Sequence, residues 1–144
     1  EARLVSALRE SMTYSRELSL VAELGGRIVG HALLTRVPLR KDGEEKNVLA
    51  LGPMSVVPSQ SHRGIGSRLI QSGVSLAREK GYGSIVVLGY PEYYKRFGFE
   101  PARDRGVTCN LPAPEDALTV MEIVDGNLAG GGHVEYPEPF LELY

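Results

Sequence analysis

Cysteine is nearly absent from the chain: Cys109 stands alone. One thiol excludes an internal disulfide framework and a cysteine-based zinc cluster, and it fits the reducing conditions of a cytoplasm. An excess of positive charge is missing too, since 16 Lys and Arg stand against 18 Asp and Glu, for a formal net charge of -2. That balance argues against a nucleic-acid binder that relies on bulk charge. No apolar run approaches the roughly 20 residues that span a bilayer, so no membrane partner is expected. The N-terminus interleaves Glu1, Arg3, Arg9 and Glu10 and has no signal-peptide layout. It begins at Glu1 rather than Met, so residues upstream are expected. No internal repeat and no interdomain linker divides the chain, and 144 residues, 42% of them hydrophobic, suffice for one core. Residues 1–144 are therefore expected to form one soluble domain.

What is present reads as alternating helix and strand. Leu4, Val5 and Leu8 fall at helical spacing, and "LSLVAEL" (18–24) is a short strand-like run. Gly25 and Gly26 predict a tight hairpin turn into the strand "RIVGHALLTRVPL", after which "RKDGEEK" reads as a charged loop. A third strand, "NVLALGPMSVVP", is broken by Gly52-Pro53, which predicts a bulge or an edge. From Gly64 to Lys80 the apolar residues Ile65, Leu69, Ile70, Val74 and Ala77 keep to one face, with Gly81 as the stop. Ser84 to Gly89 is a buried-type strand, and Pro91 opens a short helix in "PEYYKRF" that Gly98 ends. "GVTCNL" and "ALTVMEIV" are two more strands, separated by "PAPED", before a Gly- and Pro-rich tail. The sum is an α/β (α+β) domain with a helix set between strands of a mixed sheet.

The stretch "SQSHRGIGSRLI" (59–70) puts Gly-x-Gly at the start of the best helix. Unpaired amides there, backed by the helix dipole, suit an anion such as a pyrophosphate. A dinucleotide fingerprint would need a third glycine where Leu69 stands, and no Gly-Lys-Ser/Thr follows to make a P-loop. A glycine turn that merely allows close packing of strand and helix remains open. About thirty residues on, Tyr94 lies on the short helix that follows the buried strand, four residues before Gly98-Phe99. Tyr93, Phe97 and Phe99 read as ordinary core or rim aromatics.

Together, "LGPMSVVPSQSHRGIGSRLIQSGVSLAREKGYGSIVVLGYPEYYKRFGFEPA" resembles the core of a GNAT-superfamily N-acetyltransferase, through its Gln/Arg-x-x-Gly-x-Gly/Ala loop and its Tyr-x-x-x-Gly-Phe segment. With "LSLVAE", "IVGH" and the tail "VMEIVDGNLAGGGHVEYPEPF", the chain is similar to the YhbS-like branch of that superfamily over nearly its whole length. The resemblance implies a mixed, mostly antiparallel sheet flanked by helices, with the family's first strand and the start of its first helix missing. It implies acetyl-CoA as cosubstrate, no metal, and direct transfer of the acetyl group to an amine of a small molecule or protein in a ternary complex. The amides of Arg63, Gly64, Ile65, Gly66 and Ser67 would take the pyrophosphate, and the strand edge of Met54, Ser55 and Val56 the pantetheine arm. An N–H beside Gly52-Pro53, of Ser55 or Val56, would face the oxyanion, and Tyr94 would donate to the leaving thiolate.

Two positions depart from the family pattern: Ser61 stands where Gln or Arg is usual, and Tyr90 where the branch has Asp. His31, Glu23, Glu92 and Cys109 are weighed as the group that takes the amine's proton, and none is assigned. "RKDGEEK", the N-terminal region and the tail from His133 to Phe140 are expected to shape the acceptor pocket. A non-catalytic acyl-CoA binding or sensing domain on the same fold is the alternative reading. Oligomeric state is left open, a homodimer included.

Overall fold

The structure is a computed structural model that describes residues 18–57 and 64–141. The helix expected around Leu4, Val5 and Leu8 lies outside the described residues, as do Ser61, His62 and Arg63. Among the described residues, eight strands make one sheet. β1 (Ser19–Leu24) turns at Gly25 and Gly26 into β2 (Arg27–Lys41), and β3 (Glu44–Val56) follows. The helix α1 (Ile65–Glu79) leads to β4 (Ser84–Leu88) and the one-turn helix α2 (Pro91–Lys95). Then come β5 (Glu100–Pro101), β6 (Val107–Cys109), β7 (Leu118–Glu122), β8 (Gly132–Val134) and a last helical turn, α3 (Glu138–Leu141).

The strand order is β5-β7-β4-β3-β2-β8-β6, with β1 added beside β2. Among the described residues β3 with β4 and β6 with β8 pair in parallel, and the other pairings are antiparallel. This is the mixed, mostly antiparallel sheet expected. One element was read too short: "RKDGEEK" is not a loop, because β2 and β3 run on to a two-residue turn at Asp42 (φ 49°) and Gly43 (φ 80°). Two successive positive φ values match the right-handed twist of a hairpin, and Asp-Gly supplies them at little cost.

Side chains alternate across the sheet. Leu33 and Val37 of β2, Val48 and Ala50 of β3, Val86 of β4 and Val120 of β7 face one core, which Ala102, Leu111, Leu128, Tyr136 and Phe140 cover. Ala32, Leu34, Leu49, Leu51, Ile85 and Val87 face the other, covered by Ile65, Leu69, Ile70 and Ala77 of α1. Both sides of β4 are thus buried, which is why "SIVVL" reads as an unbroken apolar run. The helix presses on Gly30 of β2, where an added Cβ would lie 3.0 Å from Ile65 Cγ2 and 3.2 Å from Leu69 Cδ1. α1 stops at Gly81 (φ 85°), whose N–H bonds Arg78 O at 3.1 Å, while Tyr82 N–H bonds Ala77 O at 2.9 Å. That pair of bonds satisfies carbonyls the helix would otherwise leave open.

Candidate active site

The sheet parts at its centre. β3 and β4 pair only at Leu49–Ile85, Ala50–Val86 and Leu51–Val87. Next on β3 come Gly52 and Pro53, joined by a cis peptide and set opposite the single residue Leu33, so the strand bulges there. Beyond the bulge β3 keeps β2 as neighbour, through Met54–Ala32, Ser55–His31 and Val56–Gly30. β4 meanwhile stays with β7 as far as Leu88–Leu118. The side of β3 from Met54 to Val56 that faced β4 is left open.

Which backbone groups face that opening follows from the register. Val57 N–H donates to Val29 O at 2.8 Å, continuing the same ladder. Bonded and non-bonded pairs alternate in an antiparallel ladder, so Ser55 spends its backbone groups on His31. The N–H and C=O of Met54 and Val56 point away from β2, into the gap. Of the two amides expected beside the interruption, that of Val56 faces the opening, and that of Met54 joins it.

At one end of the gap stands the start of α1. Gly64 caps the helix with φ 73°, and its carbonyl accepts the first helical bond, from Arg68 N–H at 3.1 Å. The amides of Gly64, Ile65, Gly66 and Ser67 come before that bond and have no acceptor within the helix. No acidic residue occupies the first turn, so the dipole's positive end is not neutralised from within the helix. Gly66 sits where three elements meet: an added Cβ would lie 3.0 Å from Tyr93 Oη of α2 and 3.8 Å from Met54 Cε of β3.

At the other end Gly89 closes β4, and Pro91 starts α2 at a position where a missing N–H costs nothing. Tyr94 N–H bonds Tyr90 O at 3.2 Å, and its ring lies edge-on to Tyr93 (5.2 Å) and Phe99 (5.9 Å). The ring also lies over Gly89, where a Cβ would be 3.1 Å from Tyr94 Cε2. Tyr94, Gly52, Pro53 and Met54 line a cavity of about 480 Å³ that reaches Tyr136 and Phe140. Met54 and Tyr94 pack with the core on the α1 side, and Tyr136 and Phe140 with the core on the opposite side. The cavity therefore passes through the sheet where β3 and β4 part. A separate groove of about 370 Å³ lies between β1 and α1, remote from this gap apart from Ile65.

The residues weighed for the amine's proton are not among those lining the cavity. His31 is half-buried with Nε2 3.3 Å from Ser19 Oγ, and Glu23 and Glu92 are exposed. Cys109 is half-buried against the core, with its Sγ directed at Leu111 O, and burial raises its thiol pKa. The hairpin end at Asp42 and Gly43 stands outside the cavity, while the tail contributes Tyr136 and Phe140. Tyr93, read from the sequence as an ordinary core or rim aromatic, stands with its hydroxyl against the helix start at Gly66. Its signal is the spacing of Tyr93, Phe97 and Arg96, whose guanidinium lies 5.5 Å from the Tyr93 ring centre and braces that side of α2.

The sequence profile of the Acetyltransferase (GNAT) family matches residues 2–99. The chain belongs to that family. Among GNAT proteins it is 35% identical over 143 residues to the uncharacterized N-acetyltransferase YjhQ of Escherichia coli K12, covering 96% of this chain and 79% of the relative. It is 34% identical over 142 residues to the uncharacterized N-acetyltransferase YhbS of the same strain, covering 97% and 83%. The crystal structure of Escherichia coli YhbS in complex with CoA superimposes with a TM-score of 0.88 over 97% of this chain and 77% of that one. A Brucella melitensis GNAT acetyltransferase in complex with acetyl-CoA, 33% identical, gives 0.76 over the same shares. The GNAT fold and the enzyme class, an acetyltransferase, follow.

Proposed function

We propose that this GNAT acetyltransferase transfers the acetyl group of acetyl-CoA directly to an amine within a ternary complex, as one domain spanning residues 1–144. The parting of β3 and β4 carries the reading, because it joins an anion-seeking helix start, a free strand edge and a phenol in one passage. YhbS holds CoA and the Brucella protein acetyl-CoA in their crystal structures, and the residues here fit the same group. The amides of Gly64 to Ser67, preceded by that of Arg63, would hold the pyrophosphate. The outward N–H and C=O of Val56 and the C=O of Met54 would pair with the pantetheine amides, and the backbone of Ser55 keeps that edge fixed to β2.

The acceptor amine then attacks the thioester carbonyl. A C–N bond forms, the C–S bond breaks, and the nitrogen loses one proton while the sulfur gains one. The Met54 N–H, which points into the gap on the cavity wall that Tyr94 also lines, would face the developing oxyanion. Tyr94 donates its phenolic O–H to the leaving thiolate. The lone Cys109 supports a cytoplasmic setting.

Calorimetry with acetyl-CoA, together with free-thiol release in the presence of amines, tests the proposal. Tyr94→Phe should lower kcat by about 100-fold with the acetyl-CoA Kd nearly unchanged; equal turnover removes Tyr94 from the step. Binding without thiol release from any amine would favour the non-catalytic acyl-CoA domain, a reading supported by a cavity wall without described carboxylates or imidazoles.

A further inference from the structure

We propose that the acceptor is a small monoamine with an aromatic or branched aliphatic body, bound where the cavity opens on the face opposite α1. The inference rests on the acetyl-transfer reading and deepens it. The far wall is made by Pro112, Ala113 and Pro114, after β6, and by Tyr136 and Phe140 of the C-terminal segment. Among the described residues lining the cavity there is no Asp, Glu, Lys, Arg or His. The polar side-chain groups there are the hydroxyls of Tyr90, Tyr94 and Tyr136.

Charge decides what such a wall accepts. A second ammonium, as on a polyamine, would leave water without meeting a carboxylate, and a carboxylate, as on an amino acid, without meeting a cation. Either desolvation is costly when unpaired. An apolar body gains instead by burial against the prolines and rings. Tyr136 and Phe140 stand edge-to-face with centres 5.0 Å apart and offer an aromatic surface of fixed geometry. Ring faces also tolerate the single ammonium before it loses its proton. The cavity's about 480 Å³ is the size of a small-molecule site.

Purified full-length protein, acetyl-CoA and a panel of amines test this by thiol release. Phenethylamine or isopentylamine should show kcat/KM at least about tenfold above putrescine, spermidine and phenylalanine. A preference for a diamine, for an amino acid or for a peptide with an N-terminal phenylalanine overturns the assignment and leaves acetyl transfer standing. No thiol release from any of them, with acetyl-CoA bound, overturns the transfer reading and this one with it. Ala113→Asp puts a carboxylate on the wall, and should raise the putrescine-to-phenethylamine rate ratio about tenfold with the acetyl-CoA Kd unchanged. An unchanged ratio in a variant that still binds acetyl-CoA overturns the proposal, and Ala117→Asp, at another residue lining the cavity, repeats the test should Ala113→Asp fail to fold.

Discussion

Gly66 does its work by what it lacks. A Cβ there would meet Tyr93 Oη at 3.0 Å, tighter than ordinary van der Waals contact. The hydroxyl is the far end of a side chain, so it would yield by a few tenths of an ångström toward the gap beside Met54. Gly66→Ala should therefore weaken acetyl-CoA binding in calorimetry without lowering Tm, because alanine favours the helix by up to about 1 kcal/mol. The double variant Gly66→Ala with Tyr93→Phe, which removes the hydroxyl, should recover most of the affinity; no recovery would detach Tyr93 from the effect. Tyr94 and Tyr93 are neighbours in sequence with different surroundings, one over Gly89 beside the cavity and the other against α1. Sequence spacing singled out Tyr94 through the Gly98-Phe99 that follows it. The local spacing around Tyr93 reads as aromatic packing, and its contact with Gly66, 27 positions away, is not written there. Cys109 belongs to the same scale. Burial raises its thiol pKa, so it should react with a thiol reagent at pH 7 more slowly than free cysteine, as a stopped-flow labelling rate would show.

Among the elements, α1 is the one that sequence pattern described best. Ile65, Leu69, Ile70 and Ala77 are all buried on one side, and the helix spans Ile65–Glu79 against the expected Gly64 to Lys80. Its position depends on Gly30, a residue with no helical or turn signature. Alanine there would place a Cβ 3.0 Å from Ile65 Cγ2 and 3.3 Å from Ser55 O. The second of these is backbone and cannot swing aside. Gly30→Ala should thus cost about 1–3 kcal/mol of stability in chemical denaturation, and it should weaken acetyl-CoA binding by moving the helix start off β3. Loss of neither would mean that α1 shifts freely over β2. The β2–β3 hairpin shows the converse. Its charged end, "RKDGEEK", hid two strand ends because exposed positions on a hairpin tip carry polar residues whatever the backbone does, and only Asp42-Gly43 marked the turn.

At the scale of the molecule, Arg105 ties the chain after β5 back to β5 and β7. Its guanidinium bonds Glu122 Oε2 of β7 at 2.8 Å and Glu100 Oε2 of β5 at 3.2 Å. Glu122 Oε2 also accepts Leu128 N–H at 2.7 Å. The Arg105 hydrogen bond, then the Leu128 amide, lower the Glu122 pKa below its ordinary value. A carboxylate depressed in the folded state adds stability above its unfolded pKa and loses it as pH falls through the folded one. Acid should therefore weaken the fold below about pH 4.5 through this group. Glu122→Gln should be less stable than the parent at pH 7, with a shallower further loss on acidification, read from urea midpoints across pH. Parallel pH curves would show that Glu122 takes no part.

Much of this protein is legible along the chain because its signals are local. Helical periodicity, glycine stops and the Gly-Gly turn marked the elements and the sheet's mixed character, and the two motifs that resemble the GNAT core pointed to the family and to the two ends of the candidate site. Tertiary structure decided what depends on contacts between distant segments. It set the order β5-β7-β4-β3-β2-β8-β6, in which β5 and β8 are too short to carry a pattern of their own. It turned the Met54 and Val56 amides toward the gap, since that depends on the register against β2. It also brought Tyr136 and Phe140 across the sheet to a cavity whose described lining residues carry no charge. A side chain's chemistry is written at its own position, but the direction it faces and the company it keeps come from the pairing of strands far apart in sequence.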